Sequence, residues 1–106
     1  MAIEITDCYS FEGPYHLLGD LKNQAGVYVV LCIKDTGACF IVDAGESENV
    51  KKTIEIHERK RCWLDNCAGR IAVAVLYTPH LDRAGRTDIE RIIRSREYVP
   101  CGEAPG

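Results

Sequence analysis

At 106 residues, with 46% hydrophobic and 27% charged side chains and a net charge of −3, the chain has the size of one domain with a modest core and the composition of a folded protein. No apolar run approaches the ~20 residues of a membrane-spanning helix, so no membrane partner is expected. The acidic start MAIEITDCYS lacks the basic-then-apolar pattern of an export signal, which makes the cytoplasm the expected address.

In chain order, Pro14 fits the first turn of a helix, and Leu17, Leu18 and Leu21 follow at helical spacing. One or two helical turns are therefore predicted over residues 15–21. Gly26 opens VYVVLCI, a strand signal dense in β-branched and aromatic side chains. Lys34-Asp35-Thr36-Gly37 reads as a turn in which Gly37 can take a positive φ, and ACFIV follows. Residues 27–42 thus form a predicted hairpin, and the unbroken apolar runs on both arms predict cover on both faces.

Asp43-Ala44-Gly45-Glu46-Ser47 breaks the strand. Ser47 is a candidate cap for one helix over residues 48–61, with Val50, Ile54 and His57 on a shared face. Lys51, Lys52, Glu55, Glu58 and Arg59 then look outward. After a break at residues 65–69, IAVAVLY is a third strand and TPHLDRAG a loop. Thr87 and Glu90 have the spacing of a capping box, which starts a last helix that buries Ile92 and Ile93. It should end near Tyr98, because Val99 precedes Pro100. The tail CGEAPG is expected to be partly loose. The predicted architecture is a single α+β domain over residues 1–106, a small antiparallel three-stranded sheet with packed helices. Its open sheet edges suit a monomer or a weak homodimer.

Six cysteines, Cys8, Cys32, Cys39, Cys62, Cys67 and Cys101, show no CxxC spacing. Without an export signal they are read as free thiols, with Cys32 and Cys39 as small buried hydrophobes in strand-like runs. His57, Cys62, Cys67 and Cys101 make a nominal zinc set, but without the close chelating pair of structural zinc sites. Trp63, beside Cys62, is expected to seal a core.

Charge is unevenly spread. Residues 1–50 hold two basic and eight acidic side chains (−6), residues 51–96 eleven and six (+5), and residues 97–106 two acidic ones (−2), which returns −3. A basic C-terminal half can face a phosphate backbone. Lys51, Lys52, Arg59 and Arg91 are the candidate nucleic-acid contacts, with intrahelical pairing to Glu55, Glu58 and Glu90 as the simpler use of such charges.

Gly26-Val27-Tyr28 at a strand start, Asp43-Ala44-Gly45 at the end of the next strand, and the polar helix-opening stretch after it carry a likeness. Over roughly residues 24–103 the chain resembles the GIY-YIG endonuclease superfamily. The resemblance implies a catalytic tyrosine at Tyr28, a helical histidine at His57 and a metal-binding glutamate at Glu90, on the family's α+β scaffold. It also exposes departures. Asp43 replaces the second motif's tyrosine, and Thr53 occupies the best match to the catalytic arginine. Pro100 survives from the closing motif, with Cys101, Gly102 and Glu103 where an asparagine is usual. Thr53 cannot supply a cationic fork, and Asp43 would repel a phosphate unless a cation lay between them.

The expectation is therefore a catalytically degenerate GIY-YIG-like domain that binds nucleic acid or a protein partner through its former cleft, with no cofactor. One alternative is a divergent endonuclease using Tyr28, Asp43, His57 and Glu90, with Mg²⁺ or Mn²⁺ on Asp43 and Glu90. Another is a protein-interaction module with no nucleic-acid role. Each residue also has a purely structural reading. Tyr28 would be a packing residue, Asp43 an Asx-turn, His57 a hydrogen-bonded helix residue, and Glu90 the closing member of the capping box.

Overall fold

Val27, Val29 and Leu31 alternate with Tyr28, Val30 and Cys32 along an eight-residue strand, and each set of three is buried on one face of a covered sheet. In the computed structural model, which describes residues 1–102, this strand, β3 (Gly26–Ile33), is flanked by β4 (Cys39–Ser47) and β5 (Arg70–Tyr77). The two remaining strands are β1 (Ala2–Ile5) and β2 (Tyr9–Tyr15), and the sheet order is β1-β2-β5-β3-β4, antiparallel throughout. The α+β class holds, but the sheet has five strands rather than three.

The two extra strands come from the N-terminus. Ile5 and Phe11 are buried in the same core as Val27, Val29 and Leu31, with Ile3 and Tyr9 packed against it, so the apolar payload of residues 3–11 lies on one sheet face. Pro14 sits within β2, not in a helix, at a register irregularity between Glu12 and Tyr15 where a missing N–H costs no ladder bond. Of the expected helical turns only a 3₁₀ turn at Leu18–Asp20 forms, and Leu17 stays exposed while Leu21 is buried. The outer strands of the sheet are β1 and β4.

Cover on both faces, expected from the hairpin's apolar runs, is what the chain builds. Helices α1 (Val50–Glu55) and α2 (Lys60–Asp65) bring Val50, Ile54 and Trp63 to the face carrying Tyr28, Val30 and Cys32. Helix α3 (Arg83–Arg96) brings Ile93 to the opposite face. The hairpin turn closes as predicted, with Gly37 at φ +91°.

Helix boundaries depart from expectation in three places. The single helix predicted over residues 48–61 is split in two, and its cap is Asn49, whose side chain accepts from the Lys52 amide at 3.1 Å. The split falls where His57 Nδ1 accepts from the Arg59 amide at 3.1 Å, a side-chain bond that competes with the helical ladder. Helix α3 starts earlier than Thr87, capped by Asp82 accepting from Gly85 at 2.9 Å. Thr87 and Glu90 therefore lie inside the helix and form no capping box, and Ile92 is exposed. The tail beyond Gly102, Glu103 included, lies outside the described residues.

The free-thiol reading is overturned for four cysteines. Cys32 pairs with Cys67 and Cys62 with Cys101, at Cα separations of 5.5 and 5.9 Å. Cys8 and Cys39 are free and exposed, so Cys39 is not the buried hydrophobe expected. The partners are 35 and 39 residues apart, and only the packing of α2 on the sheet brings them together. The zinc set is thereby dismantled, since three of its four members are in disulfides. Peptide mapping without reductant is expected to recover both linked pairs, with alkylation confined to Cys8 and Cys39. Replacing Cys62 and Cys101 together by alanine should lower the unfolding free energy by about 2–4 kcal/mol, as measured by urea titration.

Candidate functional site

A β-bulge in the middle of the β3–β4 hairpin builds the site, and β4 runs on through Ser47 instead of breaking at Asp43 as expected. Ile41 pairs with Leu31 and Asp43 with Val30, so one extra residue is accommodated in β4. Ile41 and Ala44 consequently share a face although they are three residues apart, which a period of two forbids. The bulge re-aims Asp43 into the interior, where its side chain is fully buried.

A buried carboxylate is costly unless its lone pairs are filled. Here they are. Arg59 Nε and Nη2 donate to Asp43 Oδ2 and Oδ1 at 2.8 and 3.2 Å, a two-pronged grip. Trp63 Nε1 donates to Oδ2 at 2.7 Å, and the Ala44 amide and Arg94 Nη2 donate to Oδ1 at 2.8 and 3.0 Å. Arg94 is itself engaged at all three nitrogens: Nε meets Glu90 Oε2 at 3.1 Å, Nη1 the Cys101 carbonyl at 3.1 Å, and Nη2 also the Ala44 carbonyl at 2.6 Å. The Cys62–Cys101 disulfide holds that last segment against the cluster.

In front of the cluster opens a cleft of about 520 Å³, lined by Tyr28, Thr53, His57, Arg59, Arg83 and Glu90 among others. Tyr28 is nearly covered, but its hydroxyl tip reaches the cleft wall and meets His57 Nε2 at 2.7 Å. Gly45 makes that possible, because any side chain there would collide with the Tyr28 ring and hydroxyl. Burial, reinforced by Asp43, raises the Tyr28 hydroxyl well above its ordinary value, so the phenol is protonated at neutral pH. Burial and then the Arg59 charge lower His57 below its ordinary value. Burial also raises Glu90, against the opposing bond from Arg94.

Of the residues singled out from the sequence, Tyr28, His57, Arg59 and Glu90 line this one cleft. Asp43 lies behind it, in the Arg59–Arg94–Trp63 cluster. Thr53 lines the cleft, but its hydroxyl is engaged with Ser47 Oγ at 2.6 Å. Lys51 and Lys52 are on α1 outside the lining, and Arg91 pairs with Asp88 at 3.6 Å. Arg59 points inward to Asp43 rather than outward as a helical reading requires. Arg94, Arg83 and Glu46 were not singled out as site residues. Arg83 and Arg94 are legible in the sequence as members of the basic set around the last helix, and Arg94 also has the i,i+4 spacing from Glu90 that their ion pair uses.

The implied pair of metal ligands does not fit. A guanidinium, Arg94, bonds both Asp43 and Glu90, so the two carboxylates already share a cation, and both Asp43 oxygens are filled. Among the described residues no group of three or more His, Cys, Asp or Glu side chains could hold a metal ion.

Replacing Asp43 by asparagine leaves the buried Arg94 guanidinium and the part-exposed Arg59 guanidinium facing an uncharged amide. Urea unfolding should register a loss of about 3–5 kcal/mol. His57 sets a pH dependence. Its folded proton affinity is below that of the unfolded chain, so its contribution is complete above the ordinary value of 6.5 and is lost as pH falls below that. Between pH 7 and 5 the wild-type thermal midpoint should therefore drop further than that of His57→Gln. Compared with protein-family models, with curated proteins and with solved structures, the chain matches none, and the cleft is read on its own residues.

Proposed function

We propose that the chain is a catalytically degenerate GIY-YIG-like domain that binds a nucleic-acid backbone in the cleft between α1, the α1–α2 connection and α3. The observation that carries this is the meeting of Tyr28, His57, Arg59, Arg83 and Glu90 in one open cleft, while Arg94 occupies the place between Asp43 and Glu90. Two arginines and a phenolic hydroxyl are groups that contact phosphate oxygens and carry no base-edge reading, and with Glu46, Glu58 and Glu90 in the same lining the contact is confined to those donors. The chain's net charge of −3 argues for a local, cleft-confined contact rather than a broad basic face. No catalytic step is assigned, because the carboxylates that would carry a divalent cation are joined through a guanidinium.

The expected partner is a nucleic-acid backbone, with the chain acting as a monomer or weak homodimer. Among the described residues no helix is long and apolar enough to cross a membrane. The two disulfides set a condition on compartment: they persist in oxidising surroundings, and a cytoplasmic copy would hold those four cysteines as thiols.

Fluorescence anisotropy with labelled single-stranded and nicked DNA tests the reading. Binding should weaken as salt rises, and Arg83→Gln should reduce both the affinity and the steepness of that dependence, by about one released counterion. The double change Lys51→Gln, Lys52→Gln should matter less, since neither lysine lines the cleft. No association at low salt would sink the proposal in favour of a protein partner. Cleavage with Mg²⁺ or Mn²⁺ that disappears in Glu90→Gln would replace it by the endonuclease reading.

A further inference from the structure

One hydrogen bond decides where a proton sits in the cleft. His57 Nδ1 accepts from the Arg59 backbone amide at 3.1 Å, and an accepting ring nitrogen carries no hydrogen. The neutral imidazole then carries its single hydrogen on Nε2, which lies 2.7 Å from Tyr28 Oη. The bond between them runs from ring to phenol: His57 Nε2–H donates and Tyr28 Oη accepts. The reverse direction would require both ring nitrogens to accept, which only an imidazolate does.

Tyr28 therefore keeps its own hydroxyl hydrogen for another acceptor. Among the described residues the hydroxyl's hydrogen-bond partner is His57, and the space beside it is the cleft, kept open by Gly45. Arg59 lines the same cleft. Asp43 grips its Nε and Nη2, and Nη1 lies outside that grip. A phenolic O–H and a guanidinium lining one cleft make a pair of donors for an oxyanion, the second of them charge-assisted.

We propose that Tyr28 is a fixed hydrogen-bond donor to a phosphoryl oxygen beside Arg59, and that His57 is the positioning residue that locks it in that role. This rests on the reading of the cleft as a nucleic-acid backbone site and deepens it. A tyrosine that donates cannot at the same time abstract a proton from water, so the pair that the family resemblance makes catalytic serves recognition here. The burial that keeps Tyr28 protonated and His57 neutral acts in the same direction.

Two measurements test this. Nitrogen-15 NMR of histidine-labelled protein at pH 7.5 should show His57 as the Nε2–H tautomer, and an Nδ1–H tautomer would overturn the proposal. Titration with inorganic phosphate and with a fluorescein-labelled oligothymidylate should give binding that falls about tenfold or more in Tyr28→Phe, the loss of one hydrogen bond to a charged acceptor. The variant's circular dichroism spectrum should be unchanged, since the phenyl ring still fills the same core. Equal phosphate affinity in Tyr28→Phe, or no phosphate binding by the wild type, would overturn it. Tyr28-dependent phosphate binding in a protein that ignores the oligonucleotide would uphold the donor role and remove the nucleic-acid reading instead.

Discussion

The buried carboxylate of Asp43 is the constraint on which the rest of this structure depends. Five donors converge on it, from two arginines, one indole and one backbone amide. The donors come from β4, from the start of α2 and from α3. Arg59 precedes α2, Trp63 lies within it, Arg94 is on α3, and Ala44 is the next residue of β4. A charge placed in a low-dielectric interior is tolerable only with such complete pairing, and the pairing holds the surrounding segments in one arrangement.

That arrangement bridges the two faces of the sheet. Helices α1 and α2 cover one face and α3 the other, yet Arg59 and Arg94 meet on the same side chain. The bulge in β4 permits this by breaking the alternation that would otherwise commit position 43 to one face. The two disulfides reinforce the same region. Both start from α2 or just after it, a six-residue helix with one buried side chain, Trp63. A helix so short has little apolar area of its own to hold it, so covalent links and the Asp43 cluster replace what burial would normally supply.

The cleft inherits its character from this support. Arg59 faces it with a guanidinium oriented from behind, His57 with a ring whose tautomer the next backbone turn dictates, and Tyr28 with a hydroxyl positioned by that ring. The same cluster also explains the unsuitability for a shared metal. Arg94 supplies positive charge permanently between Asp43 and Glu90, where a hydrolytic site would bring an exchangeable cation.

The sequence by itself determined the elements whose reasons are local. The β3–β4 hairpin with Gly37 in its turn, the strand IAVAVLY at residues 71–77 and the existence of a last helix, though not its start, follow from β-branched runs, turn chemistry and helical spacing. The candidates Tyr28, His57 and Glu90 were legible through the order of short motifs, and they line one cleft. Only the tertiary structure decided the N-terminal hairpin, whose short apolar segments gain their meaning from the β5 edge they cover. It alone decided the cysteine pairs, joined across 35 and 39 residues, and the inward turn of Arg59, which a continuous helix would have sent to solvent. Asp43 shows the reason most directly. Its residue type signals a turn or a ligand, but its role depends on partners 16, 20 and 51 positions away, and only the folded chain brings them within bonding distance.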